Sequence, residues 1–307
     1  MFKGSCVALV TPMTEEGEVD YAAWEQLLKW HLEQNTDAIV IGGTTGEVST
    51  LTGAEWSQLI TLAVSIVKNS KNPIPVIAGT GSNSTQETIF NTQEAKALGC
   101  DGALIVTPYY NKPTQEGLYL HYKKIAQAVD LPIILYNVPH RTACDLSVET
   151  TIRLSYLPNI IGIKDATGDL TRVTMYKKDA KPGFILYTGD DESVMAFMTL
   201  GGEGVISVAA NIAPKAMHDL CQAVLENDLI QAESINHSLK KLCKNLFLES
   251  NPIPVKWALH AMGRISCGIR LPLTVLSEQY HASLYNDLQN LEVLEIAGDY
   301  FDKKHCV

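Results

Sequence analysis

The chain has 307 residues, 46% of them hydrophobic, which is enough to bury one large core. Its formal charge of −10 opposes nucleic acid and anionic lipid, and the basic pairs Lys177-Lys178 and Lys240-Lys241 are too isolated to offset it. Seven scattered cysteines form no CxxC pair, no stretch is long enough to span a membrane, and MFKGSCVALVTP lacks a signal-peptide core; a cytoplasmic protein with reduced thiols is expected.

Short β-rich runs recur along the chain: Cys6–Val10, Ala38–Ile41, Pro75–Ala78, Ala103–Val106, Ile133–Tyr136, Ile160–Lys164, Ile185–Tyr187 and Gly204–Val208. They are apolar and β-branched with little alternation, as strands covered on both faces are. Helical segments lie between them. Trp24, Leu27, Leu28, His31 and Leu32 repeat at helical spacing. Thr52 with Glu55, and Ser84 with Glu87, read as capping boxes, while Leu98-Gly99 and Leu200-Gly201 read as helix ends. Such alternation predicts a parallel sheet. Eight units close into a (β/α)8 barrel; a doubly wound open sheet is the alternative, but Gly79-Thr80-Gly81 lacks the third glycine of a dinucleotide fingerprint.

From Pro214 onward the pattern turns helical, over Met217–Leu225, Leu229–Leu248, Val255–Met262 and Ser277–Ala297, with breaks at Asn251–Pro254 and Gly263–Pro272. One domain is expected: a barrel core over 1–213, with the last barrel helix and a helical extension over 214–307.

Catalytic groups of such barrels sit at the C-terminal ends of strands. Five predicted ends are polar: Gly43-Thr44-Thr45-Gly46-Glu47, Thr107-Pro108-Tyr109-Tyr110, Tyr136-Asn137-Val138-Pro139, Lys164-Asp165-Ala166 and Thr188-Gly189-Asp190-Asp191. Lys164 is the sharpest signal. Alternation puts Ile161 and Ile163 on one face, Gly162 and Lys164 on the other, with Gly162 leaving room beneath the amine. Burial disfavours an ammonium and favours the free amine that attacks a carbonyl. A rim lysine paired with a neighbouring aspartate fits the same position. Lys256 and Lys112 are weaker candidates.

Tyr136 shares a face with Ile134 and can enter the barrel, and Thr44 and Tyr110 offer hydroxyls for a proton relay. Ordinary local hydrogen bonds account for each of them singly. Arg141 could grip a substrate carboxylate, or hold its own loop. Thr45 and Gly46 offer further donors to a carboxylate. The eight histidines show no HExxH spacing and no G-x-S-x-G elbow occurs, so neither a zinc site nor a serine nucleophile is expected, and the scheme needs no metal or cofactor.

The motifs GTTGE (Gly43–Glu47), TPYYNKPTQEGLY (Thr107–Tyr119), YNVPHRT (Tyr136–Thr142), IIGIKDATGDL (Ile160–Leu170), GDDE (Gly189–Glu192) and NPIPVKWAL (Asn251–Leu259) stand in one order over nearly the whole chain. Together they resemble the dihydrodipicolinate synthase family of class I pyruvate-dependent aldolases. The resemblance implies condensation of pyruvate with L-aspartate 4-semialdehyde in diaminopimelate and lysine biosynthesis, by a homotetramer built as a dimer of dimers. It implies that Lys164 is the Schiff-base lysine and that Tyr136, Thr44 and Tyr110 are the relay, Tyr110 reaching in from a neighbouring subunit. Arg141 matches the position that engages the semialdehyde carboxylate, and Thr45, Gly189 and Ile206 match pocket positions. Ser49, Asn83, Glu87 and Tyr109 match a feedback site for lysine. Gly53 and Trp56 replace the histidines of strongly inhibited members, so weak or moderate inhibition is expected, with the Trp56 indole able to pack on the inhibitor's stem. Related readings are N-acetylneuraminate lyase or a 2-keto-3-deoxy-sugar-acid aldolase, and, outside enzymology, a non-catalytic 2-oxo-acid-binding protein. Arg141 and Thr44-Thr45 favour the first reaction.

Overall fold

In a computed structural model, which describes residues 3–294, eight parallel strands close into a barrel in sequence order. The strands are β1 (Gly4–Ala8), β2 (Ala38–Ile41), β3 (Val76–Gly79), β4 (Gly102–Val106), β5 (Ile133–Asn137), β6 (Ile160–Asp165), β7 (Ile185–Thr188) and β8 (Gly204–Ser207). Helices α1 (Tyr21–Glu33), α2 (Gly53–Lys68), α3 (Thr85–Ala97), α4 (Gln115–Ala128), α5 (Pro139–Thr142), α6 (Val148–Ser155), α7 (Thr171–Asp179) and α8 (Val194–Thr199) connect them, and α9 (Pro214–Leu225) follows β8. An open sheet is thereby excluded. The chain continues through α10 (Leu229–Asn245), α11 (Ile253–Ala261) and α12 (Glu278–Asn290); α12 packs on α10 and α11.

The apolar residues divide into two clusters. Ile39, Ile133, Leu135 and Ile163 face outward, against helix residues such as Trp24, Leu59 and Tyr122. Cys6, Val40, Ile77, Leu104, Ile134, Tyr136, Tyr187 and Ile206 fill the barrel interior. Strands buried from both sides need apolar residues at nearly every position, which is why the runs lack clean alternation.

Most expected boundaries hold within two residues, and the departures have local causes. β1 begins at Gly4, two residues early, and releases Val10, whose N–H donates to Asn211 Oδ1 instead of to a strand. Gly4 pairs with Gly204 across the closing seam, where a Cβ on Gly204 would lie 2.2 Å from the Gly4 carbonyl oxygen. Only glycine allows that approach. Helix α11 starts before Val255 because prolines at its first turn sacrifice no intrahelical hydrogen bond. The last expected helix is shorter than expected: α12 stops at Asn290, with Glu292 at φ 54° just beyond it, and residues 295–297 of that expectation lie outside the described residues.

Capping follows the sequence in part. Thr52 and Glu55 form the reciprocal box at α2. At α3 only half forms: Ser84 accepts from the Glu87 N–H, while the Glu87 carboxylate accepts from the Ser82 hydroxyl at 2.7 Å. Gly99 and Gly201 take the positive φ expected after helix ends, at 89° and 109°.

One strand departs from simple alternation. The β5–β6 register slips between Ile133 and Ile134, so that Ile133 pairs with Ile160 but Ile134 pairs with Gly162. Ile161 consequently packs toward the interior while Ile163 faces the helices; the two do not share a face. Gly162 has another purpose than making room for Lys164. A Cβ there would lie 2.6 Å from the Ile185 carbonyl oxygen, so glycine lets β6 and β7 approach.

Candidate active site

Lys164 and Tyr136 are paired in register near the C-terminal ends of β6 and β5, and both side chains turn into the barrel. Lys164 Nζ lies 4.2 Å from the centroid of the Tyr136 ring, and only 6% of the residue is exposed. No carboxylate lies within ion-pair distance of it among the described residues. The neighbouring aspartate, the alternative partner for a rim lysine, points the other way: Asp165 Oδ2 accepts from the Tyr176 hydroxyl at 3.0 Å, and Oδ1 accepts from Thr167 N and Oγ1. Below the site, burial pushes the Cys6 thiol well up, against the pull of the Lys164 charge.

Gly189, on the loop after β7, makes room for the amine. A Cβ at that position would lie 2.7 Å from Lys164 Cε and 2.8 Å from Ala166 Cβ. The lysine's aliphatic arm therefore runs over the surface that glycine leaves open, and a side chain here would press on it.

The surrounding pocket, about 50 Å³, gathers Thr44, Thr45, Tyr136, Arg141, Lys164 and Gly189. Arg141 sits on α5, which starts at Pro139, and its Nη2 donates to the Asn251 carbonyl at 3.2 Å. Among the described residues no carboxylate pairs with this guanidinium, and Arg141 is one of the residues lining the pocket. His140, beside it, is held neutral more readily than usual by partial burial and by the Arg141 charge. Thr45 is buried and its Oγ1 accepts from Asn251 Nδ2 at 3.0 Å. Ile206 lies in the interior cluster with Tyr136, below the lining residues.

Tyr110 is not brought in. It is 88% exposed, at φ 73°, on the loop after β4, and no hydrogen bond joins its hydroxyl to Tyr136 or Thr44 within the subunit. Of the remaining motif positions, Asn83 Nδ2 donates to the Tyr109 carbonyl at 3.2 Å, and Glu87 reaches the same turn through Ser82. Ser49 is exposed on the separate β2–α2 connection. Trp56 is not available as a platform for a ligand: it is 9% exposed and packs against Gly42 in the core.

Lys256, the other buried lysine, is paired. Its ammonium donates to Glu47 Oε1, while Glu47 Oε2 accepts from Arg270 N at 3.2 Å. Burial pulls the Lys256 ammonium down against the opposing attraction of Glu47. It is a structural ion pair linking α11 to the loop that carries Thr44 and Thr45. Lys112 lies on the exposed loop after β4, at φ 45°.

Sequence reasoning passed over the groups that brace the site from outside. Asn137 and Asp165 directly follow Tyr136 and Lys164, and strand alternation turns them outward. Asn137 donates to Asp145 Oδ1 at 2.8 Å; Arg172 pairs with Asp145 at 2.6 Å and approaches Asp165 at 3.8 Å. The available signal was the polar residue following each inward one. Asn251, whose contacts lie far away in sequence, gave no local signal.

A larger cavity, about 420 Å³, opens at the opposite end of the barrel among Pro73, Ile77, Ile134 and Ile161. Its one carboxylate, Asp101, is engaged by the Val76 N–H. Size does not make it the site: the convergent polar groups are at the other face. Among the described residues no cluster of three or more His, Cys, Asp or Glu side chains is placed to hold a metal ion, and no helix is long and apolar enough to cross a membrane.

The fold and this pocket define a parallel β/α-barrel protein organised around a lysine buried beside a tyrosine ring. Comparison with known proteins narrows the class. Residues 1–291 match the model of the dihydrodipicolinate synthetase family. The chain is 54% identical over 293 residues to the 4-hydroxy-tetrahydrodipicolinate synthase of Coxiella burnetii, covering 95% of this chain and 99% of that one. It is 52% identical over 291 residues to the enzyme of the same name from Ralstonia nicotianae, covering 95% and 98%. The crystal structure of a chloride-inhibited dihydrodipicolinate synthase from Acinetobacter baumannii, complexed with pyruvate, superposes with a TM-score of 0.93 at 54% identity, over 95% of this chain and all of that one. The chain belongs to the dihydrodipicolinate synthetase family, and it is an enzyme of the lyase class.

Proposed function

We propose that the chain condenses pyruvate with L-aspartate 4-semialdehyde through a Schiff base on Lys164, supplying diaminopimelate and lysine biosynthesis. The observation that carries this reading is the buried Lys164 amine, without an anionic partner among the described residues, covered by the Tyr136 ring. An amine so placed is available to a ketone instead of to a carboxylate.

The chemistry runs as follows. Lys164 Nζ adds to the pyruvate carbonyl carbon, and the resulting carbinolamine loses water to give a protonated imine. The imine draws electrons from the adjacent methyl group, which releases a proton and becomes the nucleophilic carbon of an enamine. That carbon attacks the aldehyde of the second substrate, whose oxygen gains a proton. The amino group of the new adduct then closes on the imine carbon and expels Lys164 as an amine, so release needs no hydrolytic water. Tyr136 and Thr44 shuttle these protons together with Tyr110 of the partner subunit. Thr45 donates to the pyruvate carboxylate beside Gly189, Ile206 shapes the wall below, and Arg141 engages the carboxylate of the semialdehyde.

Tyr110 lies exposed, outside its own pocket, which supports a neighbouring subunit as its place of action and a homotetramer built as a dimer of dimers. The cytoplasm is the compartment that fits its substrates and its free cysteines. Lysine binds at Ser49, Asn83, Glu87 and Tyr109 with weak or moderate inhibition, because Trp56 is buried where an imidazole would serve the ligand.

Borohydride reduction in the presence of pyruvate tests the central step: mass spectrometry should find the pyruvate adduct on Lys164. An unmodified Lys164 after reduction refutes the reading. Turnover of aspartate semialdehyde should exceed that of sugar-derived aldehydes, and the reverse preference would reassign the substrate. A lysine titration of the activity should show no submicromolar inhibition.

A further inference from the structure

Asn251 lies between α10 and α11, in a part of the chain that supplies no strand to the barrel, yet it reaches the pocket. It is 6% exposed, and it touches both groups assigned to carboxylates. Its Nδ2 donates to Thr45 Oγ1 at 3.0 Å across 206 residues of sequence, and its main-chain carbonyl accepts from Arg141 Nη2 at 3.2 Å.

The amide is placed with Nδ2 on Thr45 and with its buried Oδ1 lacking a partner among the described residues, and this placement gives the first contact a polarity. A threonine hydroxyl has one proton and two lone pairs. With the amide N–H₂ on one lone pair, the hydroxyl proton cannot also point toward Asn251, where it would meet another donor. Thr45 Oγ1 makes no other hydrogen bond among the described residues, so the proton is left for the pocket. A carboxylate there is the acceptor it suits.

We propose that Asn251 is a positioning residue that fixes Thr45 as a donor toward the pyruvate carboxylate. The inference rests on the proposed function of Thr45. The frame around the pair does not depend on the asparagine side chain: α11 is tied to the Thr45 loop by the buried Lys256–Glu47 pair, and Arg141 is held by the Asn251 main chain. Truncating the side chain should therefore release the threonine hydroxyl without unfolding the site.

The variants Asn251→Ala, Asn251→Asp, Thr45→Val and the double variant Thr45→Val/Asn251→Ala separate this role from a merely structural one. The measurements are KM for each substrate, kcat, melting temperature and the pyruvate concentration giving half-maximal borohydride trapping at Lys164. An aspartate can only accept, so it turns the Thr45 proton away and adds a repelling charge. Asn251→Asp should raise the pyruvate KM and the half-trapping concentration together by roughly tenfold or more. Asn251→Ala should raise both about threefold, with the aldehyde KM changed less than about twofold because the main-chain contact to Arg141 survives. In the Thr45→Val background, Asn251→Ala should have no further effect on pyruvate. The inference is overturned if both single variants keep the pyruvate KM within about twofold of the parent, if Asn251→Asp binds pyruvate as well as the parent, or if the Thr45 and Asn251 effects multiply independently. Should Asn251→Asp fail to fold, Asn251→Ala and the double variant decide the matter. Absence of any adduct in the unsubstituted protein refutes the Schiff-base reading itself; an adduct with unchanged half-trapping in the variants refutes only the role of Asn251.

Discussion

Two regions of the molecule each bury a lysine, and they use it differently. In the C-terminal extension Lys256 is 2% exposed and donates to Glu47, whose second oxygen accepts from Arg270 N. Inside the barrel Lys164 is 6% exposed and faces a tyrosine ring, an apolar floor and a glycine, with no carboxylate in reach among the described residues. Burial is therefore common to a strut and to a nucleophile. What distinguishes them is whether the surroundings supply an anion. Strand alternation decides this at Lys164, since the adjacent Asp165 is turned out of the barrel and engaged by Tyr176.

The contrast can be broken most directly at the nucleophile. Lys164→Ala should reduce kcat/KM by about 10³-fold or more and abolish borohydride trapping by pyruvate, with melting temperature preserved. Retained turnover would move the chemistry elsewhere. Lys256→Ala should do the opposite. It strips the buried Glu47 side chain of its partner, so unfolding free energy should fall by about 3–5 kcal/mol in denaturant titration, while folded molecules still trap pyruvate on Lys164. Loss of trapping without loss of stability would erase the distinction between the two lysines.

A smaller change sharpens the comparison. In Gly189→Ala the new methyl group must displace the Lys164 arm or the β7 loop, so turnover should fall about 10- to 100-fold, with little change at the Lys256 site. Unaltered kinetics would show that the lysine has other room. Acid tests the surrounding frame, apart from either lysine. Burial lowers the pKa of His31 to about 3 and of His121 to about 4, from an ordinary 6.5. Both imidazoles are thus neutral when folded, and the unfolded chain binds the extra protons between those values. Their contribution is full above about pH 6.5 and is lost progressively as pH falls toward 4 and 3, with a slope approaching about 1.4 kcal/mol per pH unit for each histidine. Stability curves at a series of pH values measure it, and His31→Phe should flatten the slope. A pH-independent stability between 6.5 and 4 would contradict the assignment.

Much of this was readable along the chain because its causes are local. Eight β-branched runs with capped helices between them specify strands covered on both faces, and such strands close into a barrel. Tyr136 and Lys164 were legible because alternation from Ile134 and from the end of β6 turns each inward. The slip at Ile160–Gly162 was not, because it depends on how β5 and β6 pair, and it separated Ile161 from Ile163. Gly162 was noticed for the wrong neighbour: the Ile185 main chain needs the space, while Gly189 is the glycine that accommodates the lysine. The Glu47 partner of Lys256 and the Asn251 contact to Thr45 span 209 and 206 residues, beyond anything periodicity or capping can express.

The glycine seam has a consequence for biosynthesis. Because β1 pairs with β8 as well as β2, the first strand waits for its second partner about two hundred residues downstream, a delay of roughly 10–40 s at ribosomal speeds of about 5–20 residues per second. Throughout that interval the nascent sheet presents unsatisfied edges, each a template for another copy. Messages truncated before Gly204 would yield fragments unable to shut that edge, and these belong with chaperones or proteases.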